Sequence, residues 1–99
     1  MHTALSDKTL TVFLSGEIDH HTAAAIRQTT DKELIKSSPE KLILDFSAVT
    51  FMDSSGVGLV LGRYKTASSL GCRTTVTGLR ERDKKILQMS GLTNKVEFR

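Results

Sequence analysis

Alternation of apolar and polar residues predicts β structure at the start of the chain. Leu10, Val12 and Leu14 occupy every second position, which is the period of a strand with one buried face. A β-prone run at 3–6 precedes this strand across the dipeptide Asp7-Lys8, and a two-residue gap of this kind is typical of a hairpin. We therefore expect an N-terminal hairpin whose second strand is long and half buried.

Helical periodicity follows over residues 22–35. Pro39 ends this helix, because proline disfavours helical geometry in the residue before it. The side chains predicted to face inward are Ala23, Ala24, Ala25, Ile26, Thr29, Leu34 and Ile35. Those predicted to face water are Arg27, Gln28, Asp31, Lys32 and Glu33.

An almost unbroken apolar run comes next, at residues 42–46. Such a run is typical of a central strand covered on both faces, which requires helices above and below the sheet. Beyond residue 53 the apolar positions change to steps of three and four, so a second helix begins near Asp53. Its predicted buried face holds Val57, Val60, Leu61, Tyr64 and Ala67.

The last third of the chain predicts a strand at 73–78, a helix at 80–90 and a short strand at 95–98. Ile86, Leu87 and Met89 are expected to point inward, and Gly91 stands where a left-handed residue ends a helix. This order predicts a single α/β domain over 1–99. Its mixed sheet of four to five strands has parallel later strands joined by right-handed crossover helices. The segments 16–19 and 52–55 both follow strand ends, so we expect them to be neighbours at the carboxyl edge of the sheet.

Composition agrees with one small domain and narrows its function. Of 99 residues, 38% are hydrophobic and 25% charged, which leaves no room for a second domain. No apolar run approaches the ~20 residues of a membrane span, and the N-terminus lacks a leader pattern, so we expect a cytoplasmic protein without a membrane partner. The single Cys72 excludes an internal disulfide. The net charge of +3 has a local excess only at 80–85, where no aromatic residue interleaves, so nucleic acid is not an expected partner.

The helix that starts near Asp53 carries two candidate functional features. Asp53 and Ser54 can be explained as helix caps, because their side-chain oxygens accept hydrogen bonds from the first unpaired N–H groups. Gly58 and Gly62 have no such explanation, because each glycine costs roughly 0.8–1.0 kcal/mol against alanine inside a helix. They leave a strip without side chains. Periodicity does not decide whether a neighbouring helix of the same chain or another protein approaches that strip.

Catalysis finds little support in these residues. Ser54 and Ser55 lack a Gly-x-Ser-x-Gly turn and a triad order. His20 and His21 have no further ligands at metal spacing, so neither metal nor cofactor is expected. A small nucleotide-binding domain that uses the helix start remains the alternative from another class. A serine at an exposed helix start is a better phosphorylation site, and its phosphate would block docking against the glycine strip without unfolding the domain.

Four motifs together carry a family resemblance: Gly-Glu-Ile-Asp-His-His at 16–21, Met-Asp-Ser-Ser-Gly at 52–56, Leu-Gly-Arg-Tyr-Lys at 61–65 and Met-Ser-Gly-Leu at 89–92. Over residues 10–98 the chain resembles the anti-sigma factor antagonists of the STAS family. The resemblance implies a partner-switching regulator and not an enzyme. Its unphosphorylated form binds an anti-sigma factor serine kinase in the ADP-bound form and releases the sigma factor. Phosphorylation of Ser54 by that kinase ends the binding, and a serine phosphatase reverses it.

The resemblance also implies a partner-binding surface and a monomer when free. The residues that map onto this surface are Asp19, His20, Asp53, Ser54, Ser55, Gly58 and Gly62. The His-His pair and the run at 52–58 favour the sporulation branch of the family over the general-stress branch, which works by the same exchange of partners. Family members usually continue past the last strand into a further helix, whereas this chain ends at Arg99, so either the sequence is shortened or this member is a shorter one.

Overall fold

A five-stranded sheet forms the centre of the protein, and the computed structural model describes all 99 residues. The strands are β1 (His2–Ser6), β2 (Thr9–Ile18), β3 (Lys41–Met52), β4 (Arg73–Thr77) and β5 (Glu97–Phe98). The helices are α1 (His20–Ser37), α2 (Ser55–Ser69) and α3 (Glu81–Leu87), and α3 continues into a π-helical turn, Gln88–Leu92. The strand order is β1-β2-β3-β4-β5, with β1 antiparallel to β2 and every other pair parallel. The predicted α/β fold is confirmed.

The N-terminal hairpin is confirmed together with its turn. Asp7 and Lys8 both have positive φ angles, of 50° and 65°, as both central residues of a type I′ hairpin turn require. β2 then runs on to Ile18, past the alternating part of its sequence. Two register shifts lie between residues 13 and 17 of β2, and at each of them β3 contains one residue more than β2, as in a β-bulge.

Helices cover only one face of the sheet. Right-handed crossovers along a strand order that always advances in the same direction place all the helices on one side. Burial alternates accordingly along β3: Leu42, Leu44 and Phe46 are buried, whereas Ile43 and Asp45 remain partly accessible. The prediction that this strand is covered on both faces is therefore wrong, because Ile43 continues the apolar run on the uncovered side.

Helix α1 buries a narrower face than its sequence predicts. It begins at His20, two residues earlier than expected, and ends at Ser37, which is followed by the C-terminal cap Ser38 with a left-handed φ of 42°. Its fully buried residues are Ile26, Thr30 and Leu34, which follow one another at steps of four. Ile35 is 67% exposed, so its predicted inward orientation is wrong. No helix of the protein combines the length and the apolar character needed to cross a membrane.

The buried stripe of α2 is rotated relative to the prediction. It consists of Gly56, Leu59, Val60, Arg63 and Ala67. Val57, Leu61 and Tyr64, which were expected to be buried, lie at its margin and are only partly covered. An arginine therefore occupies an inward-facing position that an apolar residue would normally fill.

The C-terminal segment turns back at a glycine, as predicted. Gly91 has a φ of 86°, which is the left-handed conformation that glycine adopts most easily, and Leu92 is buried behind it. Met89 is 87% exposed, however, so its predicted inward orientation is wrong. The π-helical turn that begins at Gln88 changes the angular spacing of the side chains and directs Met89 away from the sheet.

Candidate partner-binding site

The ends of two adjacent strands bring the candidate site residues to one edge of the sheet. Ile18 is the register partner of Met52 in the parallel pair of β2 and β3. The next residue along, Asp53, donates its N–H to the carbonyl oxygen of Ile18 at 3.1 Å. Asp19 and Asp53 therefore lie at the same edge, as predicted, and α1 and α2 start from them.

Asp19 is the N-terminal cap of α1. Its Oδ1 accepts hydrogen bonds from the N–H groups of His21 and Thr22, both at 2.9 Å, while its own N–H donates to Thr22 Oγ1 at 2.9 Å. The hydrogen bond from the Thr22 N–H is the main reason that the pKa of Asp19 lies below its ordinary value. The Asp19 carboxylate thus sets where α1 begins, and it places His20 exposed on the first turn.

The start of α2 assigns different roles to Asp53 and Ser54. The Oδ1 atom of Asp53 accepts a hydrogen bond from the N–H of Ser55 at 2.8 Å, so Asp53 caps the first N–H group of the helix. Ser54 is exposed, and its side chain makes no capping hydrogen bond. The cap explanation therefore holds for Asp53 and fails for Ser54, whose hydroxyl projects from the positive end of the helix.

A groove of about 360 Å³ separates α1 from α2. Its walls are formed by His20, Ala23, Ala24 and Arg27 of α1 and by Ser55, Gly58, Leu59, Gly62 and Arg63 of α2. A Cβ atom added at Gly58 or at Gly62 would meet no other atom within 4 Å. The glycine strip consequently faces open space, and no part of the same chain requires glycine at these two positions.

Gly56 differs from the other two glycines of α2. A Cβ atom added there would collide with the side chain of Met52, and Gly56 is buried. Close packing of α2 on the end of β3 therefore accounts for Gly56, whereas Gly58 and Gly62 need an explanation from outside the chain.

Arg63 is a charged residue of the groove that hydrophobic periodicity did not indicate. Its Nε lies 2.7 Å from Oδ1 of Asp31 on α1, so the ion pair ties the two helices together. Burial lowers the pKa of the Arg63 guanidinium, the nearby Asp31 opposes this effect, and the group stays protonated as arginine does throughout proteins. The prediction that Asp31 simply faces water is wrong. The sequence contains one indication that Arg63 is buried: it lies four residues after Leu59, on the same face of α2.

The predicted site residues divide into two groups. His20, Ser55, Gly58 and Gly62 line the groove. Asp19, Asp53 and Ser54 lie at its end, where both helices begin.

Two other reactive side-chain types lie apart from this groove. His21 lines a separate depression beside Met1 and Ile26, and the structure contains no group of three or more His, Cys, Asp or Glu side chains placed to share a metal ion. Cys72 is buried, and burial raises the pKa of its thiol, which makes it a poor nucleophile.

Similarity to known proteins places this chain in a family. The family model described as STAS domain matches residues 2–99. An anti-sigma F factor antagonist of Paenibacillus polymyxa is 40% identical over 83 residues, covering 84% of this chain and 71% of that protein. An anti-sigma-B factor antagonist of Listeria monocytogenes is 27% identical over 88 residues, covering 89% of this chain and 76% of that protein.

Solved structures of the anti-sigma factor antagonist SpoIIAA have the same fold. The unphosphorylated form superposes with a TM-score of 0.80 at 28% identity, covering 99% of this chain and 86% of that one. The phosphorylated form from Bacillus gives 0.79 at 31% identity, covering 99% and 89%. The chain therefore belongs to the STAS-domain family and, within it, to the anti-sigma factor antagonists.

Proposed function

We propose that this protein is an anti-sigma factor antagonist controlled by phosphorylation of Ser54. Its unphosphorylated form binds an anti-sigma factor serine kinase in the ADP-bound form and so releases the sigma factor. The kinase ends this binding by phosphorylating Ser54, and a serine phosphatase restores it. The protein acts in the cytoplasm by binding, without catalysis of its own, and is a monomer when free.

The exposed Ser54 hydroxyl carries this proposal. It makes no capping hydrogen bond, because the Asp53 carboxylate accepts from the N–H of Ser55 instead. A phosphate on Ser54 adds about −1.5 to −2 charges at the positive end of α2 and displaces no hydrogen bond of the fold. Ser55 is less suited to modification, since it is partly buried against the groove.

The open glycine strip supports a docking role for the groove. With no side chains at Gly58 and Gly62, a partner can approach the backbone of α2 closely. His20 and Ser55 line the end of the same groove, while Asp19 and Asp53 fix the helix starts on either side. A phosphate on Ser54 would stand at the rim of this surface, so it would obstruct the partner and leave the packing of the domain unchanged.

Relatives support the sporulation branch over the general-stress branch. Identity to the anti-sigma F factor antagonist is 40%, against 27% to the anti-sigma-B factor antagonist. A phosphorylated form is also known for SpoIIAA. A general-stress antagonist remains the alternative within the family, and binding to each type of anti-sigma factor separates the two.

Intact-mass spectrometry with fragment mapping tests the switch. The protein is incubated with ATP and the anti-sigma kinase of the same organism, alongside the variants Ser54→Ala and Ser55→Ala. We expect one added phosphate on Ser54 in the unsubstituted protein and in Ser55→Ala, and none in Ser54→Ala. A phosphate on Ser55 in both the unsubstituted protein and Ser54→Ala would show that Ser55 is the phosphorylated residue. No added phosphate, with the kinase active on another substrate, would refute the switch.

The nucleotide-binding alternative predicts that the isolated chain retains free nucleotide in equilibrium dialysis. We expect the protein to retain no free nucleotide, because the groove is built from residues of two helices and lacks a phosphate-binding loop. Light scattering on the same sample tests the expected monomer, and stable self-association would favour a structural module within a larger assembly.

A further inference from the structure

A nearly buried cation lies in the wall of the groove. The side chain of Arg63 is only 6% exposed, and its partner Asp31 is 27% exposed. Their contact joins Nε of Arg63 to Oδ1 of Asp31 at 2.7 Å. A guanidinium carries five N–H donors, so its two terminal nitrogens remain for an acceptor in the groove, which Arg63 lines.

The charges around Arg63 leave the groove positive. Arg27 of α1 lines the same groove, and its positive charge repels that of Arg63. Asp31 is the carboxylate that faces them, and His20 stands at the far end. A buried charge is costly unless a counter-charge and hydrogen bonds complete its surroundings. Asp31 supplies one counter-charge to the buried Arg63, and the exposed Arg27 adds a second positive charge to the wall of the groove.

We propose that the groove is a subsite for a carboxylate of the docking partner. The Asp or Glu side chain passes over the bare backbone at Gly58 and Gly62 and pairs with Arg63 and Arg27. A carboxylate suits this position because its two oxygens match the planar fork of a guanidinium. The inference rests on the proposed function, since it specifies the chemistry of the partner segment that docks there.

This carboxylate subsite is separable from the phosphorylation switch. Nine residues of helix, at about 1.5 Å each, place Arg63 roughly 13 Å from Ser54 along the axis of α2. The phosphate therefore acts at the end of the groove, apart from the arginine pair.

The first test measures affinity for the ADP-bound anti-sigma kinase by calorimetry. The variants are Arg27→Glu, Arg63→Lys, which keeps the charge and loses the fork, and Lys32→Glu as a matched control on the exposed side of α1. We expect Kd to rise by about tenfold or more for both arginine variants, as for other charged hydrogen bonds. Lys32→Glu should change Kd by no more than about twofold. Equal affinities across the set would overturn the subsite. Circular dichroism checks that each variant is folded.

The second test needs no protein partner. Amide NMR signals of Gly58 and Gly62 are followed during titration with N-acetylglutamate N-methylamide, whose only charge is the side-chain carboxylate, and with its neutral analogue N-acetylglutamine N-methylamide. We expect a saturable shift with the acid alone, which Arg63→Lys abolishes. An equal response to both ligands, or an unchanged response in Arg63→Lys, would refute the subsite, as would saturation of the same signals by free ADP. If the acid binds as expected but the kinase does not bind the unsubstituted protein, the proposed function fails and the subsite stands.

Discussion

Replacing the two open glycines of α2 by alanine should stabilise the protein and weaken its binding to the partner. Alanine is favoured over glycine by roughly 0.8–1.0 kcal/mol inside a helix. The added methyl groups at Gly58 and Gly62 would meet no atom within 4 Å, so no steric penalty opposes this gain. Gly62 lies in the interior of α2 and should give the full value, whereas Gly58 is in the first turn and should give less.

The expected size of the effect follows from these terms. The double variant should gain about 1.5 kcal/mol in the free energy of unfolding, which combines the full helix-propensity difference at Gly62 with a smaller one at Gly58. For a domain of this length, 1 kcal/mol corresponds to about 4–8 °C in Tm. We therefore expect the melting temperature to rise by roughly 6–12 °C, while the affinity for the anti-sigma kinase falls by about tenfold as methyl groups occupy the space of the docked segment.

Urea and thermal denaturation, together with calorimetry of partner binding, measure both effects on one set of variants. Gly56→Ala is the matched control, because its added Cβ would collide with Met52 and should lower stability. A loss of stability in Gly58→Ala or Gly62→Ala would show that the strip is covered in solution. A gain in stability with unchanged affinity would show that the partner docks elsewhere.

Three further changes test individual contacts. Asp53→Ala should lower the free energy of unfolding by about 1 kcal/mol, because the cap of α2 is lost, while Ser54→Ala should change it by only a few tenths; equal losses in urea denaturation would make Ser54 a cap after all. Arg80→Ala should cost about 1–3 kcal/mol, because it removes the ion pair of Asp83, which is 3% exposed, at 3.0 Å; adding Asp83→Asn should recover part of the loss, and additive losses would contradict this. Asp19→Ala should destabilise most above the ordinary carboxyl pKa of 3.8. The folded-state pKa of Asp19 is lowered, so its contribution disappears as the pH falls through that lowered value; a difference in stability from the unsubstituted protein that does not depend on pH would refute this reading.

Several elements of the fold could be predicted because their signals are local. The period of two in β2 and the dipeptide Asp7-Lys8 predict the hairpin, since both depend on neighbouring residues alone. Gly91 was placed correctly for the same reason, because a left-handed cap is a property of one backbone position.

The errors concern which side of an element is covered. Ile43 belongs to an apolar run, yet it lies on the open face of the sheet. Met89 was expected to continue the inward face of α3, but a π-helical turn interrupts that helix. Arg63 is buried, although the apolar pattern of α2 did not predict a buried residue at this position. The local sequence pattern cannot reveal which side is covered, because this depends on where a segment distant in sequence packs.

The candidate site was predictable in its position and only partly in its roles. The motifs after β2 and β3 indicated that Asp19 and Asp53 meet at one edge, because parallel strands end on the same side of a sheet. Whether Asp53 or Ser54 caps α2 could not be decided from residue preferences, since both types accept hydrogen bonds from free N–H groups. The distinction came from a single distance, between the Asp53 carboxylate and the N–H of Ser55.

The amino-acid sequence by itself determined the order of strands and helices, the sheet edge at which the candidate site residues lie and the family to which the chain belongs. These features depend on periodicity and on short motifs, which act over a few neighbouring residues. Only the tertiary structure decided that the helices share one face, that Gly58 and Gly62 border open space, and that Arg63 meets Asp31. Those features depend on the distance between segments remote along the chain, which packing sets and local pattern does not.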